Sequence, residues 1–303
     1  MNNEIRQALL ENWRQVGIED QKRLAKQSAP KDTEGIKSIS YQNDSNPAHT
    51  LDIWWPKGTT GLLPTLIDVH GGGWAYGSSS LISIFARYLA KHGVAVVVPN
   101  YRLLPETDLK GQIQDLFSAL HWLSSNAHQY HCDLNNIAIT GDSAGAHLCS
   151  LLTAIDLDPS LLSLYQVTKL SFSIHAVVGN HGVYDLSQGL MGDSPISKEY
   201  DCMFFGDKAK NPIYEKSALI QCANAKTYPR MLVITSEADG IKHYSYQLMA
   251  FLKDNGFSYE VFIPNQKNYP RKLGHEYNVT YPHYKISKET NDKLIHFCFP
   301  DLK

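Results

Sequence analysis

No stretch of this sequence approaches the roughly 18 consecutive apolar residues of a candidate membrane span, so nothing in it reads as a spanning helix. Cysteine is scarce as well. The five, Cys132, Cys149, Cys202, Cys222 and Cys298, are scattered, odd in number and without a CxxC pair. That spacing argues against a disulfide framework and against a zinc site, and it reads as buried thiols in a reducing cytoplasm. An excess of one charge is missing too. With a net charge of -2 and 19% charged residues, neither a nucleic acid nor an anionic membrane is an expected partner. The opening residues Met1 to Arg6 lack the ~7–15-residue apolar core of a secretory signal, and the expectation is a soluble, cytoplasmic chain.

What is present is enough apolar material for a large core: 43% of 303 residues. Ile36–Tyr41 and Leu51–Trp55 alternate apolar and polar residues around Asn46-Pro47 and predict an antiparallel strand pair at a sheet edge. Thr65–Val69, Val94–Val98, Ile137–Thr140, Ile174–Val178, Met231–Thr235 and Tyr259–Ile263 are short runs rich in Val and Ile, suited to strands buried on both faces. Helical stretches separate most of them: Leu81 to Leu89, Ile113 to Leu120, a third starting after Ser143, His243–Leu252 before Asn255-Gly256, and Ile286–Phe299. Strands alternating with helices on one sheet make a doubly wound α/β domain. No internal repeat or linker interrupts it, so residues 1–303 form one domain.

Two segments stand outside this rhythm. Ile5, Leu9, Trp13 and Val16 mark an amphipathic helix within residues 1–35, which either docks on the body or roofs a substrate pocket. Residues 185–229 contain no strand pattern and mix Gly, Pro and charges with Met191, Met203, Phe204 and Phe205. An insertion of that length is read either as a small cap or as a structural loop bundle.

The chemistry-bearing residues cluster at predicted strand ends. Asn136–Thr140 runs into Gly141-Asp142-Ser143-Ala144-Gly145 and then into an apolar helix, the strand-turn-helix context of a G-x-S-x-G nucleophile elbow. The pentapeptide alone occurs by chance in roughly one chain in ten of this length, so the context carries the weight. Upstream, the strand Pro64–Val69 ends in His70-Gly71-Gly72-Gly73-Trp74, and bare glycine backbone there can offer N–H groups to an oxyanion. Gly71 and Gly72 are the candidate loop donors, Ala144 the third, and His70 a brace for the loop. In this architecture an acid and then a histidine follow the serine. After Met231–Thr235 come Glu237 and Asp239, of which Asp239 precedes a glycine and is preferred. His275, after the loop Lys267–Gly274, is the candidate base, with His283 the fallback. Trp74, Tyr76, His181 and Tyr184 follow strand ends and read either as an aromatic pocket or as core.

His70–Trp74, Asn100-Tyr101-Arg102-Leu103 with Pro105-Glu106, and Gly141–Gly145 together resemble the α/β-hydrolases of the hormone-sensitive-lipase-like esterase group. The resemblance covers roughly residues 50–300, and the compact chain is also similar to acetylesterases and arylformamidases of that superfamily. It implies an α/β-hydrolase fold with an eight-stranded, mostly parallel sheet. It also implies hydrolysis of small acyl or aryl esters through an acyl-enzyme, with no cofactor and no metal. Ser143 is then the nucleophile, Asp239 the acid and His275 the base. An amidase on the same triad and a non-catalytic hydrolase-fold binding protein are the alternatives.

Overall fold

The computed structural model describes residues 3–186 and 194–302. Met191 and its neighbours in the 185–229 segment lie outside the described residues. In chain order the structure runs α1 (Asn3–Leu24), β1 (Thr33–Ser40), β2 (Thr50–Pro56), β3 (Leu63–Val69), α2 (Ser83–Ala90), β4 (Ala95–Pro99), α3 (Leu109–Asn126) and β5 (Cys132–Asp142). It continues with α4 (Ala144–Asp156), α5 (Pro159–Tyr165), β6 (Ile174–Asn180), α6 (Pro195–Phe205), α7 (Leu219–Cys222), β7 (Arg230–Ile234), α8 (Lys242–Asp254), β8 (Tyr259–Phe262), α9 (Tyr277–Thr280) and α10 (Lys285–Cys298).

The eight strands form one sheet in the order β1-β2-β4-β3-β5-β6-β7-β8. β2 pairs antiparallel with β1 and with β4, and every other pairing is parallel. Alternation along each inner strand sends side chains to two cores. Ile67, Val97, Ile139 and Val233 face the layer holding α3, α4 and α8, whereas Leu66, Val96, Ala138 and Leu232 face α2 and α10. A strand covered on both faces must be apolar at both parities, which is why the Val/Ile runs lack polar alternation. The crossover helices then leave all parallel strands pointing their C-terminal ends at one edge, where chain reversals gather functional groups.

All eight strands and the helices α2, α3, α4, α8 and α10 lie where periodicity places them. β8, however, read as buried on both faces, is the far edge of the sheet, with Glu260 and Val261 open to solvent. α5 was not anticipated, although its signal is in the sequence: Asp158 caps it by accepting from Ser160 N at 2.7 Å, and Pro159 sits in its first turn. Within residues 194–229 the structure has α6, α7 and two short 3-10 turns and no strand. α1 is helical as expected, yet of its 22 residues only Leu9 is buried. All five cysteines are unpaired; three are buried, whereas Cys202 and Cys222 are half-buried, short of the full burial expected. Among the described residues no helix is long and apolar enough to cross a membrane.

Candidate active site

β5 and α4 pass so closely at the G-x-S-x-G turn that a Cβ on Gly141 would run into the Gly145 backbone, and one on Gly145 would strike the Val69 carbonyl oxygen of β3. The turn puts Ser143 at φ 50°, ψ −114°, a strained backbone for a residue bearing a Cβ. Ser143 N–H donates to Asn180 O at 2.9 Å, which ties the turn to the end of β6. The hydroxyl is thereby held at the N-terminus of α4, above the strand ends.

His275 reaches that hydroxyl from the loop after β8, with its Nε2 3.0 Å from Ser143 Oγ. Its other nitrogen, Nδ1, lies 3.0 Å from Asp239 Oδ1, so the three residues singled out from chain order form one hydrogen-bonded line. Asp239 sits in the turn after β7 and also accepts from Ile241 N at 2.9 Å. Glu237, the alternative acid, is exposed and bound to Lys242 and Tyr246. His283, the fallback base, packs edge-on to Tyr281 and Tyr284 instead.

The glycine loop follows β3. At Gly72 the backbone has φ 118°, and a Cβ there would strike the Tyr76 carbonyl. His70 braces the loop as expected: its Nδ1–H donates to Gly71 O at 2.9 Å, and its ring stacks on Tyr101 at 4.4 Å. Tyr101 Oη in turn donates to His70 O at 2.8 Å. Gly71 N–H, however, already donates to Asp142 Oδ2 at 3.1 Å, which leaves Gly72 and Ala144 as the other two expected donors.

Of the four residues proposed for an aromatic pocket, only Tyr76 lines the cleft. Trp74 is buried beneath the loop, where its Nε1–H donates to His147 Nδ1 at 3.1 Å. Burial drives the His147 pKa down to about 4, so the ring is neutral and can accept at Nδ1 while donating from Nε2 to Ser217 O at 2.7 Å. Tyr184 is buried against Gly179 and Gly182. His181 is wholly buried, and its Nδ1 lies 2.7 Å from Asp239 Oδ2. Large residues at strand ends thus serve as core and bracing here, because the sheet edge is covered by the loops that carry the site.

The cleft itself encloses about 260 Å³ and is walled by Ser143, His275, the glycine loop and Tyr76, with Trp13, Val16, Asp20 and Arg23 from α1 closing it. Trp13 stacks on Tyr76 at 5.7 Å and donates from Nε1 to Tyr200 Oη of α6 at 2.9 Å. Arg23 donates to the Thr280 carbonyl at 2.9 Å and pairs with Asp20 at 3.0 Å. α1 is therefore part of the cleft wall as well as docked on the body.

Electrostatically the site is a row of carboxylates around one imidazole. Burial works against ionisation of Asp239, but hydrogen bonds with His181 and His275 hold its pKa well below the usual carboxylate range. Burial likewise opposes charge on His275, yet the charge of Glu276 and hydrogen bonds to Asp239 and Glu276 raise its pKa to about 10. Glu276 Oε1 lies 3.2 Å from His275 Nε2. Glu276 and Asp142 were not singled out from the sequence. Their signal was position: one follows the histidine and the other precedes the serine, so a Ser143–His275 contact brings them together. His181, Asp239 and His275 also place ligand-type atoms within 4.8 Å of one another, but hydrogen bonds already account for that cluster.

The BD-FAE family profile matches residues 51–249. Esterase B from Lactobacillus Rhamnosis (HN001) superposes with a TM-score of 0.92 at 30% identity, covering 98% of this chain and 94% of that one. The same enzyme inhibited by a C4-C4 SN3 tributyrin phosphonate gives a TM-score of 0.92 at 30% identity, over 98% and 95% of the two chains. Esterase LipC of Mycobacterium tuberculosis is 34% identical over 155 residues, 49% of this chain and 37% of LipC. The chain spans about a third of the length of the curated relatives it matches.

Proposed function

This chain belongs to the BD-FAE family of α/β-hydrolases, and from its site we propose that it is a serine carboxylesterase acting on short acyl esters. The observation that carries the reading is the continuous line from Ser143 Oγ through His275 to Asp239, with both links at 3.0 Å, beside a glycine loop at the strand ends. A serine so placed is the nucleophile of a two-step acyl transfer. Neutral His275 takes the hydroxyl proton on Nε2 while Ser143 Oγ bonds to the ester carbonyl carbon. The carbonyl oxygen becomes an oxyanion, met by the N–H groups of Gly72 and Ala144, with Gly71 fixed by Asp142. The Nε2 proton then passes to the leaving alkoxide as the C–O bond breaks, and water repeats the sequence on the acyl-enzyme.

Substrate size follows from the wall. A cleft of about 260 Å³ closed by Trp13 and Tyr76 suits a short acyl chain. The esterase B structure carrying a tributyrin phosphonate supports butyryl-sized groups. In this reading α1 and α6 act together as a small cap, joined by Trp13 to Tyr200 and by Arg6 to Glu199 at 2.7 Å. The five unpaired thiols suit a reducing compartment, so the same reading places the chain in the cytoplasm.

The test is a series of p-nitrophenyl esters from acetate to decanoate, with a matched formamide, on wild type and Ser143→Ala. Turnover of the short esters, lost in Ser143→Ala together with fluorophosphonate labelling, is the expected outcome. Full turnover in that variant removes Ser143 from the chemistry.

A further inference from the structure

The reacting nitrogen of His275 faces two oxygens. Besides Ser143 Oγ at 3.0 Å, Glu276 Oε1 stands 3.2 Å from the same Nε2. Nothing in the serine–histidine–aspartate line calls for this second acceptor. The backbone at Glu276 adopts φ 54°, ψ 29°, a left-handed conformation that costs a residue with a long side chain. That conformation turns the carboxylate back into the cleft, where it is about three-quarters shielded from solvent.

A third acidic group lies behind it. Asp142, buried to 3% exposure, shares a hydrogen bond with Glu276 and accepts Gly71 N–H at 3.1 Å. Two carboxyl groups in such contact cannot both ionise cheaply, so one must carry a proton. Burial and the charge of Glu276 push Asp142 well above the carboxylate range, whereas the charge of His275 holds Glu276 below it despite burial. The proton is therefore on Asp142, which donates it to the Glu276 carboxylate. A continuous polar chain results: Gly71 N–H, Asp142, Glu276, His275 Nε2.

Resting on the esterase reading above, we propose that Glu276 is a positioning residue that holds the Nε2 proton of His275 between turnovers, and that protonated Asp142 locks it to the glycine loop. The consequence is a base that becomes free only well above neutral pH, and a loop whose geometry is tied to that base. The groups facing His275 are Asp239, Glu276 and His181, whose ring lies 5.7 Å away. Those facing Glu276 are His275, His181, Asp142 and the Tyr101 hydroxyl. Only the carboxylates favour a charged imidazole; His181 opposes it. Removing the Glu276 charge should therefore lower the pH at which His275 gives up its proton.

The experiment measures kcat/KM for p-nitrophenyl butyrate from pH 5 to 10 in wild type, Glu276→Gln, Asp142→Asn and Ser143→Ala. In parallel, the His275 ring is titrated by NMR in Ser143→Ala and in Ser143→Ala with Glu276→Gln. In Glu276→Gln the acidic limb is expected to move down by about one pH unit, roughly a tenfold gain in neutral imidazole at the foot of the limb. The His275 titration should move in the same direction. Asp142→Asn, which mimics the protonated acid, should keep the wild-type limb. A limb and a titration left in place by Glu276→Gln overturn the proposal, as does an equal shift in Asp142→Asn. Full activity in Ser143→Ala would instead sink the esterase reading, and the NMR titration would still decide the role of Glu276.

Discussion

His181 and Asp239 are joined by a hydrogen bond of 2.7 Å that no solvent reaches, since both side chains are completely buried. Burial lowers the His181 pKa, so the ring is neutral and donates Nδ1–H to Asp239 Oδ2. Asp239 thus carries one imidazole on each oxygen, and only that of His275 continues to Ser143. His181 sits at φ 54° just beyond β6, with its own N–H given to Ile234 O at 2.8 Å. Its backbone and its ring together hold the carboxylate at the angle His275 requires.

His181→Leu removes the donor and leaves a buried carboxylate oxygen without a partner. Loss of a hydrogen bond to a charged group costs roughly 1.5–3 kcal/mol, so kcat should fall about 10–100-fold with little change in KM. His181→Asn keeps a donor and tolerates the left-handed backbone, and it should retain most of the activity. Steady-state kinetics on p-nitrophenyl butyrate check both variants. Equal loss in the two would assign the effect to packing alone.

The two acids after β7 should separate cleanly. Asp239→Asn is expected to lower kcat by about 10³–10⁴-fold because the imidazole loses its orienting charge. Glu237→Gln touches only an exposed pair with Lys242 and a hydroxyl contact with Tyr246, and activity should stay within about twofold. The reverse ranking would move the acid to Glu237.

Trp13 closes the cleft without contributing much to the core. Trp13→Ala should admit longer acyl chains, raising the octanoate-to-acetate ratio of kcat/KM by about tenfold. The melting temperature should change little. An unchanged ratio would show that the chain-length limit is set elsewhere in the wall.

Asp68 gives a prediction about stability. It lies in β3 with neither carboxyl oxygen hydrogen-bonded, and burial raises its pKa to about 8. A folded-state pKa above the unfolded value near 3.8 means that the folded chain holds a proton which the unfolded chain releases. Stability from this group is complete below about pH 4, falls as pH rises, and levels off above about pH 8. Asp68→Asn removes that slope. Thermal melts from pH 4 to 9 should show the substituted chain gaining on wild type, by at least about 3 °C at pH 8. Parallel curves would mean that Asp68 is ionised in the fold.

Much of this was legible because it rests on pattern. The Val and Ile runs of β3 to β7 announce strands covered on both faces, and chain order places Ser143, Asp239 and His275 at their C-terminal ends. Other features rest on backbone path. Nothing in the residue types says that Trp74 turns down to His147 while Tyr76 turns into the cleft, only two positions apart. His181 looked like a pocket residue because it follows a strand end; that the ring points at Asp239 depends on its positive φ. Glu276 and Asp142 carry no motif of their own, and their meeting follows only from the contact between their neighbours. Whether α1 docks or roofs was undecidable from amphipathicity, which records that one face is covered and not by what.

The slight burial of α1 has an evolutionary side. With Leu9 its only buried residue and Trp13 only partly buried against the core, this helix adds little to the stability of the sheet, yet it supplies one wall of the cleft. Substitutions at Trp13, Val16 or Asp20 can therefore retune what the cleft accepts without endangering the fold that holds Ser143 and His275. Robustness resides in the strands and novelty in the first two dozen residues, so new specificities in such chains should arise first at that end.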